Sequence, residues 1–553
     1  MKLRQFLTSL LLFCAPSALW AQSTYLQQGS KENILLERLE IKAQKDTVLN
    51  FSFIKPFNRK WWTRRLEAIQ SDSIHVGGLT SIDKYNIERA LLNNMEWVTR
   101  NKENMQSKKS IFNTFYKTPA NFIEVDQPDF YLSVNPVLQM YAGKDSEQDE
   151  MVFLNAKGIV ARGLIAKRVG FYTYVTDNQE RGPLYVRQWN ERQRAVQGAG
   201  FYKTFKTTGV DYIDARGGLT FNIAKYIDVQ FGYDRFFLGN GYRSMFLSDF
   251  SNNYLYLNLN LKVWRLNYSS RTMELTSQYT RQNTDELFPK KYMTMHHISF
   301  NAPKWLTLGF FDAVMYGRVN DFELSYLNPF IFLRAMESNR GSQDNALIGF
   351  DFKANVLKRL QVYGQLSLDE FNLKEVRAGN GWWANKYGFQ LGAKYIDAFG
   401  VKNLDLQGET NWIRPFTFAH NDTIANYTNY NQPLAHPLQS NIREFIAIAR
   451  YQPAPKWYVQ GRMTMWQQGS DTANSNFGNS IFKSTNTRSA EYGFSYGDAV
   501  KQNGVNANLW VAYEWKENFF IEANLTYRKL AERSGTMGTV GVRWNMHRRE
   551  YDY

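Results

Sequence analysis

The triplet GNG occurs twice in this chain, in FFLGNGYRSM (236 to 245) and RAGNGWWANK (377 to 386), and each time aromatic residues follow at once. Tyr242 is joined to Arg243, and Trp382 to Trp383. Trp412 and Arg414, at the start of the polar stretch 411 to 443, repeat the combination. Aromatic faces stack on the apolar C–H faces of sugar rings, while Arg and Asn satisfy hydroxyls or carboxylates. These six residues are therefore candidate glycan contacts near an outer mouth of the fold. The competing reading makes the glycines plain turns and the aromatics part of a membrane-interface girdle.

The remaining reactive side chains are poorly placed for catalysis. His296 and His297 are neighbours on an expected strand and point to opposite faces, which separates them as metal ligands. His75, His420, His436 and His547 have no partner at metal-site spacing, and the sequence has no HExxH or Walker pattern. SFIK (52 to 55) and SIFK (480 to 483) match Ser-x-x-Lys, but without the companion motifs of serine acyltransferases. A non-enzymatic protein with no cofactor and no metal is expected.

Composition bounds the compartment. Lys2 and Arg4, an apolar run from Phe6 to Ala15 and small residues ending at Ala21 have the layout of a secretory signal peptide cleaved after Ala21. The one cysteine, Cys14, falls in that leader, which removes disulfides, thiolate metal sites and a cysteine nucleophile from the mature chain. Net charge is +15, or +13 once Lys2 and Arg4 are removed. That surplus favours anionic partners such as acidic polysaccharide or lipopolysaccharide phosphates, and export disfavours nucleic acid. After the leader, no apolar run approaches the ~20 residues of a spanning helix, so a membrane crossing has to be made by strands.

The elements that carry the candidates are strands. In YLYLNLNLKV (254 to 263) the leucines take every second position and Asn258, Asn260 and Lys262 the alternate ones, a period of two with one apolar face. From about 129 such stretches recur, joined by two kinds of connection. Short lysine-bearing turns occur in NIAKYIDV, NAPKWLTL, NVLKRLQV, QPAPKWYV and EWKENFFI, and long polar loops at 178 to 212, 271 to 291, 317 to 343, 411 to 443 and 467 to 506. Short and long alternate, so each kind gathers at one pole, as in an outer-membrane barrel with periplasmic turns and extracellular loops. The leucines then face lipid and the asparagines the lumen.

About 18 antiparallel strands are predicted, starting near 130, 152, 168, 213, 227, 254, 265, 292, 306, 344, 361, 386, 403, 444, 457, 507, 519 and 536. Before them, KENILLERLEIKA (31 to 43), KWWTRRLEAI (60 to 69) and SIDKYNIERALLNNMEW (81 to 97) read as three short amphipathic helices that need a partner surface, the periplasmic rim of the barrel. The expected layout is a leader over 1–21, a helical periplasmic module over 22–128 and an all-β transmembrane barrel over 129–553. The polar end MHRREYDY departs from barrels that finish on an aromatic of the closing strand.

GYDRFFLGNGYRSMFLSDF (232 to 250), MHHISFNAPKWLTLGFFDAVMYGR (295 to 318), LNPF (327 to 330), DNALIGFDF (344 to 352) and VYGQLSLDEF (362 to 371) resemble, in order and spacing, the Wzi-type capsule-assembly proteins of the outer membrane. The resemblance covers roughly 230 to 372. It implies an eighteen-stranded barrel with a periplasmic helical module that helps fasten capsular polysaccharide at the cell surface without catalysis. Relatives in gliding bacteria are tied to motility and adhesion, which makes a structural subunit of a motility, secretion or adhesion complex the alternative, and a porin-like channel a third. The implied partners are surface polysaccharide or lipopolysaccharide, outer-membrane lipid, and export or motility proteins.

Overall fold

The alternating stretches become a closed wall. The computed structural model describes residues 24–553 apart from 101, 108–109, 113, 280–286, 319–321, 342 and 498, so the expected leader lies outside the described residues. Eighteen antiparallel strands form the barrel. They are β1 (Phe130–Asp145), β2 (Val152–Ile165), β3 (Val169–Arg181), β4 (Gly209–Ala224), β5 (Ile227–Asp234), β6 (Tyr254–Val263), β7 (Leu266–Thr276), β8 (Lys290–Asn301) and β9 (Leu306–Tyr316). The second half comprises β10 (Asn345–Val356), β11 (Leu360–Glu370), β12 (Lys386–Tyr395), β13 (Leu404–Ile413), β14 (Ile442–Ala454), β15 (Trp457–Ser470), β16 (Val500–Lys516), β17 (Phe519–Leu530) and β18 (Arg533–Trp544). The expected starts at 130, 152, 227, 254, 306, 386, 457 and 519 coincide with observed ones. The largest difference, 507 against Val500, arises because β16 opens on a polar run with no alternation to read.

Each strand pairs with the next, and β18 closes on β1 from Met537 opposite Asp145 to Trp544 opposite Leu138. Below that, Phe130–Val134 of β1 pairs with a short strand, Asn121–Gln127, so the segment expected as the helical module over 22–128 also feeds the sheet. On β6, Leu255 and Leu257 are 37% and 45% exposed on the outer face, whereas Tyr254, Tyr256, Asn258 and Asn260 are buried inside. The turns 225–226, 264–265, 302–305, 357–359, 396–403, 455–456 and 517–518 share one pole, where Tyr226, Trp264, Trp305, Trp457 and Trp515 stand exposed as an aromatic girdle.

Three helices, α1 (Lys31–Ala43), α2 (Arg59–Gln70) and α3 (Ser81–Leu92), close that pole. Asn58 caps α2 by accepting from the Trp61 amide, and Thr80 with Asp83 forms a capping box at α3. The stripes Trp62, Leu66, Ile69 and Ile87, Leu91, Met95 meet Leu35, Leu36 and Leu39 of α1 in one apolar cluster. The polar side of α1 faces the barrel: Lys31 reaches Glu514 at 2.5 Å and Glu517 at 2.7 Å, Lys42 reaches Asp397 at 2.7 Å, and Arg38 pairs with Asp397 and Asp405.

The lumen is packed with protein. After α1 the chain enters the barrel, where Ile54–Lys55 pairs with Phe237–Leu238 of the 235–253 connection descending from the opposite pole. Phe246 of that connection stacks on Phe311 at 4.5 Å, within an apolar cluster that includes Phe51, Phe53, Tyr254, Met273, Met293 and Met295. The lumenal face is therefore polar on β6 at Asn258 and Asn260 but apolar where loops fold in. One long connection goes the other way. Residues 322–341 lie over the outside of β8 and β9, where Asp312 accepts from the Leu333 amide at 2.8 Å and Tyr268 donates to the Pro329 carbonyl. That strap covers His296, which faces out, while His297 faces in and meets Asp351 at 2.7 Å.

Leu257→Arg, on the outer face of β6, is expected to cost about 2–4 kcal/mol of stability in lipid, as charges on the lipid face of such barrels do near mid-membrane. Leu257→Phe should be nearly neutral. Urea titration of the protein refolded into phospholipid vesicles measures both.

Candidate functional site

The six candidates part company in space. Tyr242 and Arg243 are not at the mouth, as the sequence suggested, but deep in the lumen; Arg243 is 5% exposed. Their amides donate to Glu409 on β13 at 2.6 and 3.0 Å. Gly241 allows this approach, since a Cβ there would meet Gln390 and Glu409 oxygens at 2.6 Å. The first GNG thus lets a backbone pass close to the wall.

What Tyr242 and Arg243 hold is the C-terminal tail. After Trp544 the chain turns back into the barrel, and Tyr551, Asp552 and Tyr553 are buried. The Tyr242 hydroxyl donates to Asp552 at 2.5 Å, and Arg243 pairs with Asp552 at 2.9 Å and Glu444 at 3.2 Å. Arg549 pairs with Glu180 at 3.2 Å, and Glu550 with Arg462 and Arg548. The unusual polar ending is therefore an internal plug. Burial drives the His547 imidazole down to about 3, helped by the Arg216 and Arg235 guanidinium groups, so it is neutral at physiological pH.

The second GNG stays at the long-loop pole. Gly379 and Gly381 have φ of 63° and 70°, a left-handed turn that lifts Trp382 and Trp383 toward the loop 471–499. Trp383 donates through Nε1 to Glu491 at 2.8 Å, and the Arg488 guanidinium lies 4.4 Å from a Trp383 ring centroid. Trp382 and Trp383 meet edge to face at 6.4 Å, and Phe416 packs on Trp383 at 6.0 Å. Arg414 donates to the carbonyls of Trp382 and Phe494 at 3.3 and 3.2 Å. Trp382, Trp383 and Arg414 are all half-buried, with Tyr492 exposed beside them. The cluster offers ring faces, guanidinium groups and a carboxylate to one ligand.

Trp412 joins a different group. It is on the outer face of β13 with Phe389 at 5.4 Å and Tyr496 at 5.6 Å, and Arg443 lies 4.6 Å from its ring centroid. This is the girdle geometry. Arg488, Glu491 and Tyr492 escaped the sequence reading, although Tyr492, Phe494 and Tyr496 alternate in EYGFSYG just after Arg488. Among the described residues no group of three or more His, Cys, Asp or Glu could hold a metal ion.

A closed barrel with an apolar outer face, a girdle and sorted connections belongs to the class of outer-membrane β-barrels. Among solved structures the chain is similar to Wzi of Escherichia coli, an outer membrane protein involved in group 1 capsule assembly and described as a carbohydrate-binding β-barrel. The two are 13% identical, with a TM-score of 0.56 over 96% of this chain and 100% of that one. It is also similar to OprD of Pseudomonas aeruginosa, at 11% identity and a TM-score of 0.42 over 75% of this chain and 94% of that one. No protein-family model and no curated protein sequence matches. The Wzi likeness establishes a common fold over nearly the full length.

Arg243→Leu leaves Glu444 and Asp552 without their cation inside the barrel, an expected loss of about 3–5 kcal/mol. Leak current through the variant in planar bilayers should exceed that of the parent as the tail loosens. His547 adds a pH term: with its folded value near 3 against 6.5 unfolded, the unfolded chain takes the proton first, so stability present above pH 6.5 is lost as pH falls toward 3. Acid titration of thermal stability should be flatter over that window in His547→Gln.

Proposed function

We propose that this protein is a non-catalytic member of the Wzi-type group, placed in the bacterial outer membrane, that helps assemble or attach acidic surface polysaccharide through its loop crown. In this reading residues 1–21 are the leader, 22–128 the periplasmic module and 129–553 the barrel, with the long-loop pole outside the cell. The observation that carries it is the filled lumen. With the interior occupied by the α1–α2 connection, the 235–253 and 414–441 connections and the C-terminal tail, a porin role loses its conduit, and the exposed chemistry concentrates at the crown.

At that crown Trp382, Trp383, Arg414 and Arg488 offer what a sugar acid needs: flat apolar faces for the ring and guanidinium donors for the carboxylate. The positive net charge acts in the same direction by drawing in an anionic polymer. Wzi, the full-length fold relative, is described as carbohydrate-binding, which supports the same role here.

Deleting the gene and measuring cell-bound against released polysaccharide tests the role. More released polymer is expected. Unchanged retention would transfer the reading to a structural subunit of a gliding-motility, secretion or adhesion complex. Trp383→Ala should weaken binding of purified polysaccharide roughly tenfold, the equivalent of about 1.4 kcal/mol, while Trp412→Ala on the girdle should not. Glycan-array or surface-resonance titration of the detergent-solubilised protein reads the difference.

A further inference from the structure

A second place for an anion lies inside the barrel. Between α1, the wall and the C-terminal tail is a cavity of about 310 Å³, within the size range of small-ligand sites. Its lining holds eight Lys and Arg side chains against four carboxylates, and three of the cations, Lys55, Lys394 and Arg450, lack a counter-ion of their own. Lys55 and Lys394 share a single carboxylate, Glu37, at 3.0 and 2.9 Å. Arg450 has no carboxylate partner among the described residues and donates only to the Gln407 side-chain oxygen at 3.0 Å. Burial alone would raise the Glu37 carboxyl, but Lys394, Lys55 and Arg450 together hold it well below the usual carboxylate range. Three cations therefore surround one acid.

The tail adds one donor and one ring nitrogen. Arg548 spends Nε and Nη2 on Glu550 at 3.1 and 2.5 Å, and its Nη1 is closed to solvent with no hydrogen-bond partner. His547 Nδ1 is likewise closed off and unpartnered. The other acids of the lining are Glu550, paired with Arg462 and Arg548, Asp552, paired with Arg243, and Asp249, which acts on the Arg235 guanidinium. A buried donor without a partner is unfavourable, and an anionic ligand would offset both this and the surplus charge. Ile34 and Arg450 also line a neighbouring cleft between the helices and the β14–β15 wall, so the cavity continues along the module.

We propose that this cavity binds an oxyanion carried on a single sugar unit, a carboxylate or a phosphate, gripped by Lys55, Lys394, Arg450 and Arg548. The site is separate from the loop crown and does not depend on the role assigned there. Its occupant would brace the module, the wall and the tail against one another.

Isothermal titration of the full-length detergent-solubilised protein tests this with four probes: glucuronate, glucose 6-phosphate, inorganic phosphate and glucose. Saturable, salt-sensitive binding of glucuronate or glucose 6-phosphate, with no heat from glucose, is the expected result; which of the two binds tighter identifies the group carried. The double variant Arg450→Gln/Lys394→Gln should lose at least tenfold in affinity, and Trp383→Ala none. Heat-modifiable gel mobility confirms that the double variant is folded, and the milder Arg450→Lys should retain most of the binding. Glucose binding as well as glucuronate, a folded double variant binding like the parent, or no heat from any anion at millimolar concentration would each overturn the site. Inorganic phosphate matching glucose 6-phosphate would overturn the sugar-sized occupant.

Discussion

A backbone amide or carbonyl in hydrocarbon has no water to bond to, so every one of them must find its partner within the chain. In this protein the requirement is met by the pairing of β18 with β1, which removes the last free edge of the sheet. Once the wall closes, its outer face belongs to lipid, and Leu, Val, Ile and Phe that would line a soluble core point outward instead. The interior is then polar by default, and something else has to fill it. Much of the remaining architecture follows from how that filling is done.

Four pieces of chain supply it from both poles. The α1–α2 connection brings Phe51 and Phe53, the 235–253 connection Phe246 and Leu247, the 414–441 connection Phe418, Tyr427 and Leu434, and the tail Tyr551 and Tyr553. Each also carries charge into a space shut off from water, where an unpaired ion is costly and a paired one fixes position more than it stabilises. Lys353 on the wall meets Glu40 at 2.6 Å, and Arg243 meets both Glu444 and Asp552. Such pairs act as registration marks: the plug fits in one arrangement because only one brings all the opposite charges together.

Local signals made much of this legible. A period of two says which face of β6 is apolar, and the Lys-aromatic turns mark one pole, because both depend on residues next to each other in sequence. The helices were readable for the same reason, through stripes such as Trp62, Leu66 and Ile69. Trp382 and Trp383 reached the crown as their turn glycines implied. Tyr242 and Arg243 share the same local signature yet lie inside, since nothing in FFLGNGYRSM distinguishes a loop that rises from one that descends. Arg488 was missed because its partner Trp383 is more than a hundred residues away.

Taken by itself, then, the sequence determined the strand order, the lipid-facing side, the helical start and the sorting of turns, all consequences of spacing over a few residues. Tertiary structure alone decided that the lumen is plugged, that the ending MHRREYDY turns inward and that one long connection straps the outer wall. The physical reason is distance along the chain. Asp552 selects Arg243 across a sequence separation of 309, and the free energy of burying those charges together exists only after eighteen strands have brought them within 2.9 Å.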